Sequence, residues 1–544
     1  MNDMDFYDVA IIGGGINGVG IAWDLSLRGV RCVLFEKEDF GWATTWASSS
    51  MVHGGARYII HDIGVTEKSS KEAGVLTWIL PYMLSRRPFI VLQNSGVMLE
   101  LFDIYMSVYD IFARKRYAMS HKRLTPEDIL NITGGAVRAK NGGILIEEYI
   151  VDPQRMALVN ALSARERGAK IYNHTEVVSA KRNGDLIEVI AHNKLTKQKV
   201  EVRSKILINS SGPWIDKVVR NVFSTKDFPD KNRNRLRPTK GIHIVFPGKV
   251  LNTVLSFLAI DGRYLLFVPL EDRTILGTTD DDFFGDPDDI DILRDEVEYL
   301  LHSAEKFIPN IRSLKPFSTK VGLRPTPYVY GKNEDKITRE LEIEDQNGFI
   351  NVSGGKLASY RLLSEMVSDY VCKKLGINKK SMTSSVPLWG AEEARENEIG
   401  KNFEKFTARL VDEITTEFFV PEDIAYFLVK KYGGKSKELI KKYGFGEMVC
   451  NCAKVFEGEI KWAIKEEMAQ TVDDVSRRTW ACDNLCNGIL CLKKVLKIIE
   501  KEDGVPMKEQ FLERRKALLY PVRMYNQPLW EEFQNFLRNE LNKE

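Results

Sequence analysis

Two sets of residues in this 544-residue chain have types and spacings that do chemistry. The first is a set of thiols. Five of the seven cysteines fall between Cys450 and Cys491: "VCNCAKVFEG" carries Cys450 and Cys452 as C-x-C, and "CDNLCNGILC" carries Cys482, Cys486 and Cys491. An odd, clustered count argues against a disulfide framework and for a metal centre. Four thiolates, Cys450, Cys452, Cys486 and Cys491, suit an iron–sulfur cluster or zinc, with redox thiols as a third reading. Cys482 is left as a spare thiol, and Cys32 and Cys372 as buried structural residues. The second set is glycine. In "YDVAIIGGGINGVGIAWDLSLRGVRCVLFEK", Gly13, Gly15 and Gly18 stand at G-x-G-x-x-G spacing, with Glu36 at the far end. Gly13 permits a tight turn, Gly15 lets backbone approach a pyrophosphate, and Gly18 lets helix pack on strand; Glu36 can accept from a ribose.

That chemistry needs specific elements around it. Val9 to Ile12 reads as a buried parallel strand, the residues to Leu27 as a helix ended by Gly29, and "VRCVLF" as a second strand. The rival is a glycine-rich turn in another α/β protein. The motif does not separate FAD from NAD, but its place at the N-terminus favours FAD.

"DFGWATTWASSSMVHGGARYI", which follows Glu36, resembles the FAD-dependent glycerol-3-phosphate dehydrogenases. "VDPQRMALVNALSARERGA", "INSSGPWID", "KGIHIVFP", "LGTTDDDFFGDP", "GLRPT", "KITRE" and "SGGKLASYR" follow in the family's order, so the likeness covers roughly residues 5 to 440. It implies an α/β fold, a Rossmann-like FAD-binding domain interleaved with an antiparallel-sheet substrate domain over residues 1–382, then a helical cap over 391–445. It implies oxidation of sn-glycerol 3-phosphate to dihydroxyacetone phosphate, with hydride passing to the flavin. Thr44, Thr45, Ser48, Ser49, His53, Val177, Gly212, Gly355, Lys356 and Leu357 become expected flavin contacts.

Arg57, Arg324 and Arg339 lie in these motifs. Planar guanidinium forks suit a phosphate dianion, against the rival reading of surface or ion-pair arginines. His243 matches the family's substrate-site histidine and is the candidate base; a hydrogen-bonded core histidine is the alternative. Lys356 could offset negative charge on reduced flavin or touch substrate, rather than sit solvated on a loop. The chain departs from the family at Ser50, usually lysine, and at Ala56, usually leucine or isoleucine. Trp42 and Trp46 intrude among small residues, which bears on substrate preference more than on FAD.

The cysteine segment, 446–500, resembles the bacterioferritin-associated-ferredoxin-like domain appended to some anaerobic-type members of that family. The resemblance implies a 2Fe–2S cluster on Cys450, Cys452, Cys486 and Cys491, with zinc as the alternative, and an electron exit to a quinone or partner redox protein. Residues 501–544 read as tail helices, and "TSSVPLWG" as a linker.

Composition sets the outer limits. Hydrophobic residues make up 44% of the chain, enough for several packed cores, and the +2 formal charge gives no footprint for nucleic acid. The absence of a signal-peptide pattern predicts a cytoplasmic protein. Residues 75 to 112 are aromatic-rich but too interrupted to span a bilayer; they read as core, as a contact with the inner face of the cell membrane, or as a homo-oligomer contact. Two other functions compete: a flavin oxidase or dehydrogenase of a 2-hydroxy acid or amino acid, and a non-enzymatic flavin/Fe–S electron carrier.

Overall fold

The computed structural model describes residues 4–56, 63–328 and 341–541. The expected site residues Arg57 and Arg339 lie outside the described residues. The chain builds two sheets and crosses between them repeatedly. The first has strand Asp5–Ile12 at its centre, parallel to Cys32–Phe35 on one side and to Lys199–Asn209 on the other. Lys170–Tyr172 and Phe349–Ser353 extend it in parallel outward. Helices Ile16–Leu27, Pro153–Glu166 and Tyr360–Leu375 contribute to the apolar core beside this sheet. The apolar run "VAII" is buried because strands of a covered parallel sheet have no solvent face.

The second sheet is almost wholly antiparallel. Strand Thr239–Pro247 lies between Arg273–Gly277 and Ser318–Arg324, and the sheet runs on through Val254–Leu258 and Ser85–Leu92 to Gly143–Ile150. Segments 51–150 and 239–324 thus belong to this sheet, while 5–35, 170–209 and 342–353 belong to the first. This is the α/β fold, with interleaved sheets, that the sequence predicted.

The C-terminal region is helical. Glu404–Phe418, Glu422–Tyr432 and Lys435–Tyr443 precede the cysteine segment, which contains helices Glu457–Lys465, Val472–Thr479 and Leu492–Lys501. The stretch read as a linker is exposed at Ser384 and Ser385 but buried at Leu388 and Trp389, and Trp389 packs on Trp462 with ring centroids 5.9 Å apart. Ile242, Ile244 and Leu276 of the second sheet belong to the same apolar core as Val449, Val475, Phe511 and Phe533. Among the described residues, no helix is long and apolar enough to cross a membrane.

Candidate functional site

The glycine turn is built as its spacing requires. Gly13 has φ +103°, and a Cβ there would lie 2.6 Å from the Ser210 carbonyl oxygen. A Cβ on Gly18 would sit 1.9 Å from the Gly13 oxygen, so only glycine lets the helix approach the strand. At Gly15 the nearest atom to such a Cβ is Thr45 Oγ1 at 3.6 Å, which leaves the backbone approachable. Helix Ile16–Leu27 starts there with its N-terminus toward the turn, an arrangement suited to a pyrophosphate. The turn 210–212 lies against Gly13, and Gly354 accepts from Asn17 Nδ2 at 3.1 Å, which brings Gly212, Gly355, Lys356 and Leu357 to the same end of the sheet. The residues present therefore fit a dinucleotide.

Glu36 closes the far side. Its buried carboxylate accepts from the Gly14 amide (2.6 Å), the Glu38 amide (2.8 Å) and Trp42 Nε1 (3.1 Å). A carboxylate has about four acceptor sites, so one stays available to a ribose hydroxyl. Burial pushes this carboxyl above its usual range, against the two amides that pull it down. Trp42 is thus part of the turn, while its ring packs on Trp214. Val177 is buried in the apolar cluster that includes Ile12 and Phe35.

The hydroxyl-rich segment joins the two sheets. Thr44 donates to the Leu323 carbonyl (2.6 Å), Thr45 accepts from the Ile16 amide (3.1 Å), and Ser49 Oγ meets His243 Nε2 at 3.0 Å. The Ser50 amide reaches Ser48 Oγ at 3.5 Å, and His53 Nδ1 accepts from the Gly55 amide at 3.1 Å. His243 is buried on strand Thr239–Pro247, opposite Gly277 on one neighbour and Lys320 on the other. A Cβ on Gly277 would fall 2.5 Å from the imidazole, so glycine makes room for it. Burial, then the charges of Lys320 and Arg324, hold the imidazole well below its usual pKa, which keeps it neutral. Its Nδ1 has no partner among the described residues.

Arg324 ends strand Ser318–Arg324. Its guanidinium donates to Asp280 Oδ1 (2.8 Å), Thr278 Oγ1 (3.0 Å) and the Thr279 carbonyl (2.9 Å), and a Cβ on Gly241 would collide with it. The motif "LGTTDDDFFGDP" does not by itself assign Thr278, Thr279 or Asp280 this anchoring role. The signal was the run of short polar residues after a strand. Lys356 precedes the short turn Leu357–Ser359 and has a partner of its own.

The cysteines are brought together. Cys450 ends strand Met448–Cys450, Cys452 lies in the next turn, and Cys491 caps helix Leu492–Lys501. All are free thiols. Cys491 Sγ lies 3.4 Å from Cys482 Sγ, and Cys450, Cys452 and Cys486 are near enough to this pair and to one another to shift one another's ionisation. Cys491 leads the effects that lower Cys450 to about 7 and Cys486 to about 6, while Cys491 itself is pushed up by the same partners and burial raises Cys452 to about 11. Cys482 is inside the group, not apart from it. Among the described residues, however, no three His, Cys, Asp or Glu side chains are arranged to hold a metal ion.

Comparison with known proteins agrees with this architecture. Residues 8–358 match the family model described as FAD dependent oxidoreductase, and residues 381–509 the one described as the C-terminal domain of alpha-glycerophosphate oxidase. The second match spans the cysteine segment. An aerobic glycerol-3-phosphate dehydrogenase of Staphylococcus aureus is 31% identical over 465 residues, 80% of this chain and 79% of that protein. The glycerol-3-phosphate dehydrogenase of Bacillus halodurans, solved with FAD, superposes with a TM-score of 0.70 at 23% identity, covering 97% of this chain and 94% of that one. The L-alpha-glycerophosphate oxidase of Mycoplasma pneumoniae, with FAD bound, gives 0.55 at 17% identity, covering 70% and 97%.

Proposed function

Because the chain belongs to the FAD-dependent glycerol-3-phosphate dehydrogenase family, we propose that it oxidises sn-glycerol 3-phosphate to dihydroxyacetone phosphate. The carrying observation is the hydrogen bond from the flavin turn to the second sheet, Ser49 to His243, on the strand that pairs with the one bearing Arg324. FAD, held by Gly13, Gly15, Gly18 and Glu36, supplies the hydride acceptor. His243, neutral and buried with Ser49 on its Nε2, takes the hydroxyl proton on its imidazole. Arg324, held in place by Asp280, Thr278 and the Thr279 carbonyl, is the charge partner of the phosphate. Arg57 and Arg339 are its proposed companions on their motifs alone, and Lys356 offsets negative charge beside the ring. The test is anaerobic bleaching of the flavin by a panel of phosphorylated polyols, 2-hydroxy acids and amino acids. Bleaching by glycerol 3-phosphate ahead of the others is expected, and the reverse order overturns the reading.

The finer proposal is that Cys450, Cys452, Cys486 and Cys491 hold a 2Fe–2S cluster, as in the anaerobic-type members. What supports it is the donor set: four free thiols from distant parts of the segment gathered in one place, and not a preformed cage. Such a cluster, when bound, supplies one-electron transfer to a quinone or partner redox protein. Peripheral membrane contact has its own support. Helix Gly96–Ala113 exposes Val97, Leu101, Ile104, Val108 and Ile111 along one stripe.

A further inference from the structure

Between the flavin turn and the cysteine segment lies a cavity of about 80 Å³. That is several times the room one water needs. Trp46 and Ser50 wall it on the flavin side, Trp480 and Asp483 on the cysteine side, and Lys320 enters from strand Ser318–Arg324. None of Gly13, Gly15, Gly18, Glu36, His243 or Arg324 lines it, so it is not the dinucleotide cradle or the place where Arg324 sits.

The charges around it are mostly paired. Arg273 is held by Asp272 at 2.8 Å and Asp483 at 3.1 Å. Lys430 donates to the Leu84 carbonyl and Ser85 Oγ at 2.8 and 2.9 Å. Arg477 meets Asp39 and Asp474 at 3.0 and 2.8 Å. Glu271 is met by Arg87 and Lys249. Asp152 caps its helix and accepts from Trp480 Nε1. Lys320 is the exception. It is 7% exposed, and its ammonium makes no hydrogen bond or ion pair with any described residue but lies over the Trp46 ring, 5.2 Å from the centroid. Beside it the fully buried Ser50 hydroxyl also lacks a partner. An unpaired buried ammonium and an unpaired buried hydroxyl are both costly. Burial, then Arg273, lowers the Lys320 ammonium to about 8 against the opposing charges of Asp152, Asp483 and Asp272, which also line the cavity, and leaves it mostly charged at neutral pH.

We propose that this cavity binds the oxyanion group of a small solute, a phosphate or a carboxylate, with Lys320 as its charge partner and Ser50 as a second donor. The oxyanion satisfies both groups at once. The apolar faces of Trp46, Met83, Leu270 and Trp480 seat whatever carbon body it carries. The proposal stands apart from the identity of the oxidised substrate.

The experiment uses the flavin-loaded full chain. Lys320 is acylated with an amine reagent and quantified by peptide mass spectrometry during titration with inorganic phosphate, with malonate, and with sodium chloride at matched ionic strength. Saturable protection by phosphate or malonate but not by chloride is expected, and the two arms separate phosphate from carboxylate. Binding measured by calorimetry should weaken about tenfold or more in K320M and persist in K320R. It should also persist in R324A, which separates this site from the proposed substrate phosphate contact. Absence of protection by both anions in the parent chain overturns the proposal, and that arm does not depend on a variant folding. Equal affinity in parent and K320M, or loss in R324A with retention in K320M, overturns it as well.

Discussion

Asp39 and Arg478, 439 residues apart in sequence, form a two-point ion pair of 2.7 and 2.8 Å in the protein interior. Asp39 stands three residues beyond Glu36, and Arg478 four residues before Cys482. Arg477 adds a contact to Asp39 at 3.0 Å and one to Asp474 at 2.8 Å. A single buried charged junction therefore locks the flavin turn to the helix that leads into the cysteines.

Arg478→Met should be strongly destabilising, because it removes the two-point partner of a buried carboxylate. Leaving a buried charge unpaired costs about 3–5 kcal/mol, and because Arg477 stays on Asp39 the loss should fall at or below the low end of that range. The double variant Asp39→Asn/Arg478→Met should lose less than the two single losses added together. Denaturant unfolding followed by both protein and flavin signals checks this. A loss under about 0.5 kcal/mol in Arg478→Met shows that the junction does not hold the two parts together.

The same junction sets a pH dependence. His174 Nε2 lies 2.8 Å from Asp474. Burial lowers the imidazole pKa, but Asp474 outweighs it and the net shift is upward from 6.5. A raised histidine contributes stability that is fully present below 6.5 and is lost as pH rises through the higher folded value. Asp39 and Asp474 are held below the usual carboxylate range because their arginine and histidine partners outweigh burial. Their contribution is present above the ordinary carboxyl pKa and lost as pH falls through the lower folded values. The unfolding free energy of the parent minus that of His174→Gln, measured from about pH 5 to about pH 9, should decline on the alkaline side, because the opposing linkage of the other buried bases is common to both chains and cancels. A difference that does not change with pH rules His174 out as a source of the pH dependence.

How much of this was legible in the sequence depends on distance along the chain. Gly13, Gly15, Gly18 and Glu36 act within one strand–helix–strand unit, so spacing alone reveals them. The anchoring of Arg324 by Thr278 and Asp280 needs two strands brought side by side, and a list of motifs does not state which strands pair. The Asp39–Arg478 pair and the Lys320 cavity are further from reach: their residues look like ordinary surface charges until the second sheet and the cysteine segment share one core. Cys482 looked spare because ligand spacing counts four positions, whereas the folded turn after Val472–Thr479 puts its sulfur against Cys491.

Arg324→Ala should weaken binding of glycerol 3-phosphate by about 30- to 150-fold, the loss of one charge-assisted contact of about 2–3 kcal/mol. FAD content should be unchanged, since none of the residues holding the glycine turn touches Arg324. Substrate titration of flavin bleaching reads the first quantity and the protein-to-flavin absorbance ratio the second. Equal affinity in parent and variant removes Arg324 from the phosphate site.

Ile104→Asp, made with Ile111→Asp, should abolish sedimentation of the protein with vesicles while leaving flavin bleaching intact. Both side chains are mostly solvent-exposed, so neither substitution disturbs a core. Equal recovery of parent and variant with the vesicles shows that the stripe on Gly96–Ala113 does not meet lipid.

Cys486→Ser with Cys491→Ser separates the two half-reactions. On the proposed roles, hydride removal rests on His243, Arg324 and the flavin-binding segment, none of which includes a cysteine, so stopped-flow bleaching by substrate should proceed at close to the parent rate. Iron and sulfide, expected at about two each per parent chain for a 2Fe–2S centre, should disappear from the variant. Steady-state reduction of the acceptor should then collapse. The shared core complicates the test, because Cys491 and Val495 pack in the same cluster as Ile242 and Ile244 of the substrate sheet. Loss of a metal centre can loosen the segment that held it. For that reason the bleaching rate has to be measured on the same preparation: if it is retained, the sheet bearing His243 and Arg324 is intact and a lost turnover belongs to the electron exit. Zinc without sulfide in the parent makes the thiol centre structural. Full acceptor turnover in the double variant means that electrons leave directly from the flavin.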